Sequence, residues 1–171
     1  MDIKRMLIIV TGLPRSGTSM MMQMLQAGGI ELYTDGLRPS DKFNPYGYFE
    51  HINATYPNDM KWLSEVEGKA VKLPLQLVPK LPLTYRYSTI FMNRNYNDII
   101  ESHYKMFHLK GPNMVKIWKS QEDKVHSWAK GDILDVYYGD NPLEIAQDLS
   151  DYLEISFNIC AAAKVVKYAT V

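Results

Sequence analysis

Gly12-Leu13-Pro14-Arg15-Ser16-Gly17-Thr18-Ser19 follows the apolar run Met6-Leu7-Ile8-Ile9-Val10 and precedes a second apolar run from Met20 to Leu25. That order predicts a buried strand, a glycine-bounded loop and a helix. Glycines let the backbone turn tightly and bring its N–H groups toward an anion, while the new helix aims its positive end at the same point. The spacing is that of a phosphate-binding P-loop, with two glycines five residues apart. Thr18, however, stands where a nucleoside triphosphatase carries lysine. Arg15 is the only cationic side chain in the stretch. The loop therefore reads as a cradle for a nucleotide phosphate, unlike that of an ordinary ATP or GTP hydrolase.

Outward from this stretch the chain alternates between strand and helix patterns. A strand is expected over 3–10, a helix over 16–27 stopped by Gly28-Gly29, and a Pro/Gly/Asn/Asp-rich loop over 34–48. Further on we expect a helix over 54–67, a short strand over 70–73, and a helix and turn up to Pro82. A strand over 86–93 leads to a helix over 98–108, with Ile99, Ile100, Tyr104 and Phe107 on one face. Gly111-Pro112 interrupts. Helices are expected over 114–130, 142–153 and 156–168, and a strand over 132–138. Strands alternating with helices predict one α/β domain over residues 1–171, a central parallel sheet between helix layers, of the P-loop nucleotide hydrolase type. Ligands of such sheets bind beyond the carboxyl ends of the strands.

Bulk properties narrow the partners. In 171 residues, 19 basic and 19 acidic side chains cancel, which argues against a general nucleic-acid or anionic-membrane surface. The single cysteine, Cys160, rules out an internal disulfide and reads as a small buried helix residue. The first apolar run is too short to span a membrane and reads as a buried strand rather than a signal peptide, so the expected location is the cytoplasm. Oligomeric state is not readable from the sequence.

A second anion site is expected at Arg94, directly after the 86–93 strand, with Ser102 eight residues later on the following helix. An arginine at a strand end grips a phosphate bidentately, and a hydroxyl two turns into the next helix reaches the same anion. Arg94 also fits an ordinary helix-start pair with Asp98.

Taken with the first loop, the pair resembles the sulfotransferase family, which uses 3′-phosphoadenosine 5′-phosphosulfate (PAPS) as donor. Two further elements carry the likeness. Lys72-Leu73-Pro74 is similar to the Lys-x-Pro element of tyrosylprotein and related sulfotransferases. Asn44-Pro45-Tyr46-Gly47-Tyr48-Phe49-Glu50 is similar to an Asn-Pro-x-Gly-x-x-Glu segment of bacterial-type members. Tyr96 departs from the proline usual after the strand-end Arg-Asn, and the Arg-Lys-Gly element of cytosolic members is missing. The resemblance implies that Pro14, Arg15, Ser16, Gly17, Thr18 and Ser19 hold the 5′-phosphosulfate, and Arg94 and Ser102 the 3′-phosphate. It implies Lys72 as the cation at the bridging oxygen, with no metal ion. It implies Glu50 as the base that takes the proton from an acceptor hydroxyl or amine, with His51 as the alternative. His103 and His108 read as structural and His126 as solvated. The aromatic loop bearing Tyr33, Arg38, Phe43, Tyr46 and Tyr48 fits either an acceptor-facing lid or packing on the sheet edge. Two other functions stay open: a non-catalytic nucleotide-binding domain of the same fold, and a small P-loop nucleotide kinase.

Overall fold

The computed structural model describes residues 6–108, 111 and 113–168. Four strands, β1 (Met6–Gly12), β2 (Ala70–Lys72), β3 (Arg86–Asn93) and β4 (Ile133–Tyr137), form one all-parallel sheet in the order β2-β1-β3-β4. Helices are α1 (Thr18–Ala27), α2 (Ile52–Thr55), α3 (Tyr96–Phe107), α4 (Met114–Ala129), α5 (Pro142–Leu153) and α6 (Ile159–Lys164).

Alternation along β1 assigns its side chains to two cores. Met6, Ile8 and Val10 meet the methionines of α1, Ile145 and Leu149 of α5, and Ala162 of α6. Leu7 and Ile9 face the other way, toward Ile99 of α3, Trp118 and Val125 of α4, and Trp62, Leu63 and Val78. All seven β1 residues are buried, as a strand covered by helices on both faces requires. The expected α/β architecture with a helix-flanked parallel sheet is present. No described helix is long and apolar enough to cross a membrane.

The chain leaves β1 toward β2 at one edge, and leaves β3 toward β4 at the other. β1 and β3 are neighbours, so a crevice opens between their carboxyl ends, the usual ligand position in open α/β sheets.

Several expectations need correction. The helix over 54–67 is instead the four-residue α2 and a 3₁₀ turn, Lys61–Glu65. Pro57 pushes Tyr56 out of helical conformation (φ −133°, ψ 67°) and stops α2. The stretch before Pro82 holds only a 3₁₀ turn, Val78–Lys80. Helix in the tail is confined to α6, with Asn158 capping it through the Ala161 N–H. Cys160 is exposed, because Ala162 takes the inward position on that short helix. On α3 only Ile99 is fully buried; Tyr104 and Phe107 are 43% and 45% exposed. Ile3 to Arg5 of the first expected strand, and Pro112, lie outside the described residues.

His126 is part-exposed, with its side chain 38% accessible, but it is also partnered. Its ring packs on Phe91 (4.6 Å), Nδ1 sits 2.9 Å from the Glu122 carbonyl, and Nε2 lies 3.1 Å from the Asp135 carboxylate. Burial lowers its pKa, but the Glu122 carbonyl and Asp135 together outweigh burial, and the net shift is upward. A folded-state pKa above the unfolded one adds stability at low pH that is lost as pH rises through the folded value. We therefore expect the contribution of His126 to stability to be lost as pH rises above its ordinary imidazole range. Asp135→Asn should flatten that pH dependence in urea titrations repeated across the range.

Candidate anion-binding pocket

An open pocket of about 750 Å³ lies over the carboxyl ends of β1 and β3. Its floor is the 12–19 loop. Gly12 takes a φ of +149°, and a Cβ there would stand 2.6 Å from the Met92 carbonyl oxygen and from Ser16 Oγ. Only glycine lets the loop pass so close to β3. Gly17 is the N-cap of α1 and provides no side-chain cap, so first-turn N–H groups of α1 are open to a ligand. Ser16 Oγ is buried with no hydrogen-bond partner. A cradle with open helix N–H groups and an orphaned buried hydroxyl is suited to an anion.

Arg94 stands at the end of β3 and reaches back to the cradle. Its Nη1 donates to the Arg15 carbonyl at 3.0 Å, its guanidinium covers the Tyr138 ring at 4.3 Å, and its Nε is buried without a partner. Ser102 on α3 accepts a hydrogen bond from Arg15 Nε at 2.9 Å. Arg15 holds a left-handed φ of +71°, and its Nη2 donates to the Phe43 carbonyl at 2.9 Å. Burial lowers its pKa, with Arg94 acting in the same direction against Tyr48 and Asp41.

Lys72 enters from β2, next to β1. Its Nζ lies 3.2 Å from Ser19 Oγ, 2.9 Å from the Tyr48 carbonyl and 3.2 Å from Glu50 Oε1, with the side chain 15% exposed. Burial lowers the Lys72 pKa, more than the Glu50 carboxylate restores. Glu50 is also held by Arg38, whose Nη1 donates to both carboxylate oxygens at 3.0 and 3.1 Å.

The fold thus gathers Pro14, Arg15, Gly17, Thr18, Ser19, Glu50, Lys72, Arg94 and Ser102 around one pocket, with Ser16 buried beneath it. A scan against protein-family models gives no match, and none is found among curated proteins. His51 is not brought to the pocket. It caps α2, its Nδ1 accepting from the Asn53 N–H at 3.2 Å, and its ring stacks on Tyr33 at 3.9 Å. Tyr33 itself belongs to the core, with its hydroxyl on Glu65. His103 packs between Phe107 and Trp118.

Residues missed in the sequence also line the site. Asn44 donates from Nδ2 to Ser19 Oγ at 2.8 Å, and Tyr138 supplies the face under Arg94. Tyr168 meets Tyr138 edge-on at 4.9 Å, and Lys167 lies over the Tyr46 ring at 5.4 Å. Asn44 lay inside the Asn-Pro-x-Gly segment, which signalled it. Tyr168, near the chain end, carried no signal.

Proposed function

We propose that this protein is a PAPS-dependent sulfotransferase on a P-loop type fold, moving a sulfuryl group to an acceptor hydroxyl or amine. One observation carries the reading: two anion-binding devices from separate strands converge on one crevice. The cradle after β1 and the Arg94/Ser102 pair after β3 are joined through Arg15. A nucleoside bearing phosphate at both ends of its ribose has charges to fit both. Net charge agrees. Seven lysine and arginine side chains line the pocket against three carboxylates, in a chain whose total charge cancels. The excess of four matches a donor carrying about four negative charges, its monoester contributing close to two of them.

The donor, when bound, supplies a sulfuryl group whose S–O bond to phosphate breaks as the bond to the acceptor oxygen forms. Lys72 is placed to neutralise charge growing on the leaving oxygen, and the first turn of α1 to hold the phosphate. Glu50, 3.2 Å from Lys72, is the base in this reading, since it lines the pocket and His51 does not. The acceptor proton goes to its carboxylate.

Calorimetric titration tests the donor site. We expect 3′,5′-adenosine bisphosphate to bind at least about tenfold tighter than 5′-AMP, and Arg94→Ala to remove about 10- to 100-fold of that affinity, the range for charge-assisted hydrogen bonds. Equal affinity for AMP, or tighter binding of Mg-ATP, would overturn the reading.

A further inference from the structure

The 34–50 loop crosses directly over the cradle, and its attachments share a pattern. Arg15 donates to the Phe43 carbonyl (2.9 Å). Ser19 Oγ takes the Asn44 amide (2.8 Å) and points its own hydrogen at the Tyr48 carbonyl (3.4 Å). Lys72 donates to the Tyr48 carbonyl (2.9 Å) and to Glu50 (3.2 Å). Each of these cradle side chains thereby makes at least one bond to the same loop. Within the loop, Asp41 accepts the Phe43 and Asn44 N–H groups and the Tyr48 hydroxyl, bracing the segment that carries those oxygens.

We propose that the 34–50 loop is a self-docked roof, its own oxygens engaging the Arg15, Ser19 and Lys72 side chains of the cradle, so that an anionic ligand reaches those side chains by displacing it. This rests on the anion-site reading above. The physical driving force is a mismatch of partners. Arg15 is half-buried and Lys72 nearly buried, and neutral carbonyls compensate a desolvated charge less well than a formal anion does. Glu50, the roof's one carboxylate on the cradle, stays neutralised by Arg38 when Lys72 turns to a ligand. Arg38 lies flat on the Tyr48 ring at 3.4 Å and moves with the roof. The first-turn N–H groups of α1, which Gly17 leaves without a side-chain cap, are the groups an arriving anion engages first, with the buried Ser16 Oγ and Arg94 Nε beneath them.

A docked roof lowers apparent affinity by the fraction of molecules in which it is open. Weakening its attachment should therefore tighten binding, which a merely structural loop would not do. Asn44→Ala deletes the amide on Ser19, and Tyr48→Phe deletes the brace on Asp41. Each is expected to tighten 3′,5′-adenosine bisphosphate binding about two- to tenfold, the worth of one neutral hydrogen bond. Each should also speed backbone amide exchange across residues 40–48. Unchanged exchange in both variants overturns the roof. So does equal or weaker bisphosphate affinity in variants with faster exchange, while the donor reading stands if the wild type binds. Absence of bisphosphate binding in all three proteins overturns the donor reading and the roof with it.

Discussion

On the proposed sulfotransferase activity, Lys72→Met should lower the rate of sulfuryl transfer about 10²- to 10³-fold, the loss found when one preorganised charge-stabilising donor is removed from an active site. Among the described residues, Lys72 brings the only ammonium group bonded to both Ser19 Oγ and Glu50, so no described lysine replaces it. Arg15, the guanidinium of the cradle, is directed at Ser102 and Phe43 instead. The same substitution should leave thermal stability close to wild type. It removes a buried cation whose desolvation opposes folding, and Glu50 keeps both bonds to Arg38. Release of 3′,5′-adenosine bisphosphate from PAPS, followed with a panel of alcohols, phenols and amines, measures the first quantity. A thermal melt measures the second. Turnover within threefold of wild type would remove Lys72 from the mechanism, and a collapsed melt would make it structural.

Gly12→Ala should destabilise the fold by about 3–5 kcal/mol. Two costs combine. A φ of +149° is one that L side chains rarely adopt, and such strain costs about 1–3 kcal/mol. The added methyl also meets the Met92 backbone oxygen at 2.6 Å, and that atom belongs to the central strand pair and has no rotamer to escape into. Gly29→Ala is the comparison: its φ is +105°, but a Cβ there meets nothing within 4 Å. It should cost only the conformational part, about 1–2 kcal/mol. Urea denaturation of both variants separates strain from collision. Equal losses would show that the close approach of the loop to β3 contributes nothing.

Much of this was legible in the sequence because the relevant signals are local. β3 and α5 occur at the expected positions: an apolar run gives β3, and Asn141-Pro142 gives α5 a capped start, with Asn141 Oδ1 accepting the Leu143 N–H. The cradle was legible for the same reason. The failures are non-local or concern short elements. Residues 54–67 have helix-like apolar spacing, but Pro57 cuts the segment and it packs as short turns around Trp62 and Leu63. The tail is held through a ring seated against a backbone, Phe157 on Gly28, and no periodicity announces that. In the site, side-chain identities pointed to Arg15, Lys72 and Arg94. Besides the Asn44 and Glu50 side chains, the cradle meets the roof through the carbonyls of Phe43 and Tyr48, and every residue has a carbonyl, so composition is blind to those bonds.

The pairing of β1 with β3 has a kinetic consequence. Met6 is opposite Arg86 and Leu7 opposite Tyr87, and the Arg94 to Arg15 bond joins residues 79 positions apart. Such ladders close a long loop before they return any contact energy, which slows folding. During synthesis, the amino-terminal half emerges with the 12–19 loop already encoded but with no β3 to hold Gly12 in place. Completion of the central strand pair and the acquisition of ligand affinity should therefore be one event, so that a refolding experiment followed by nucleotide binding would report on the rate-limiting step itself.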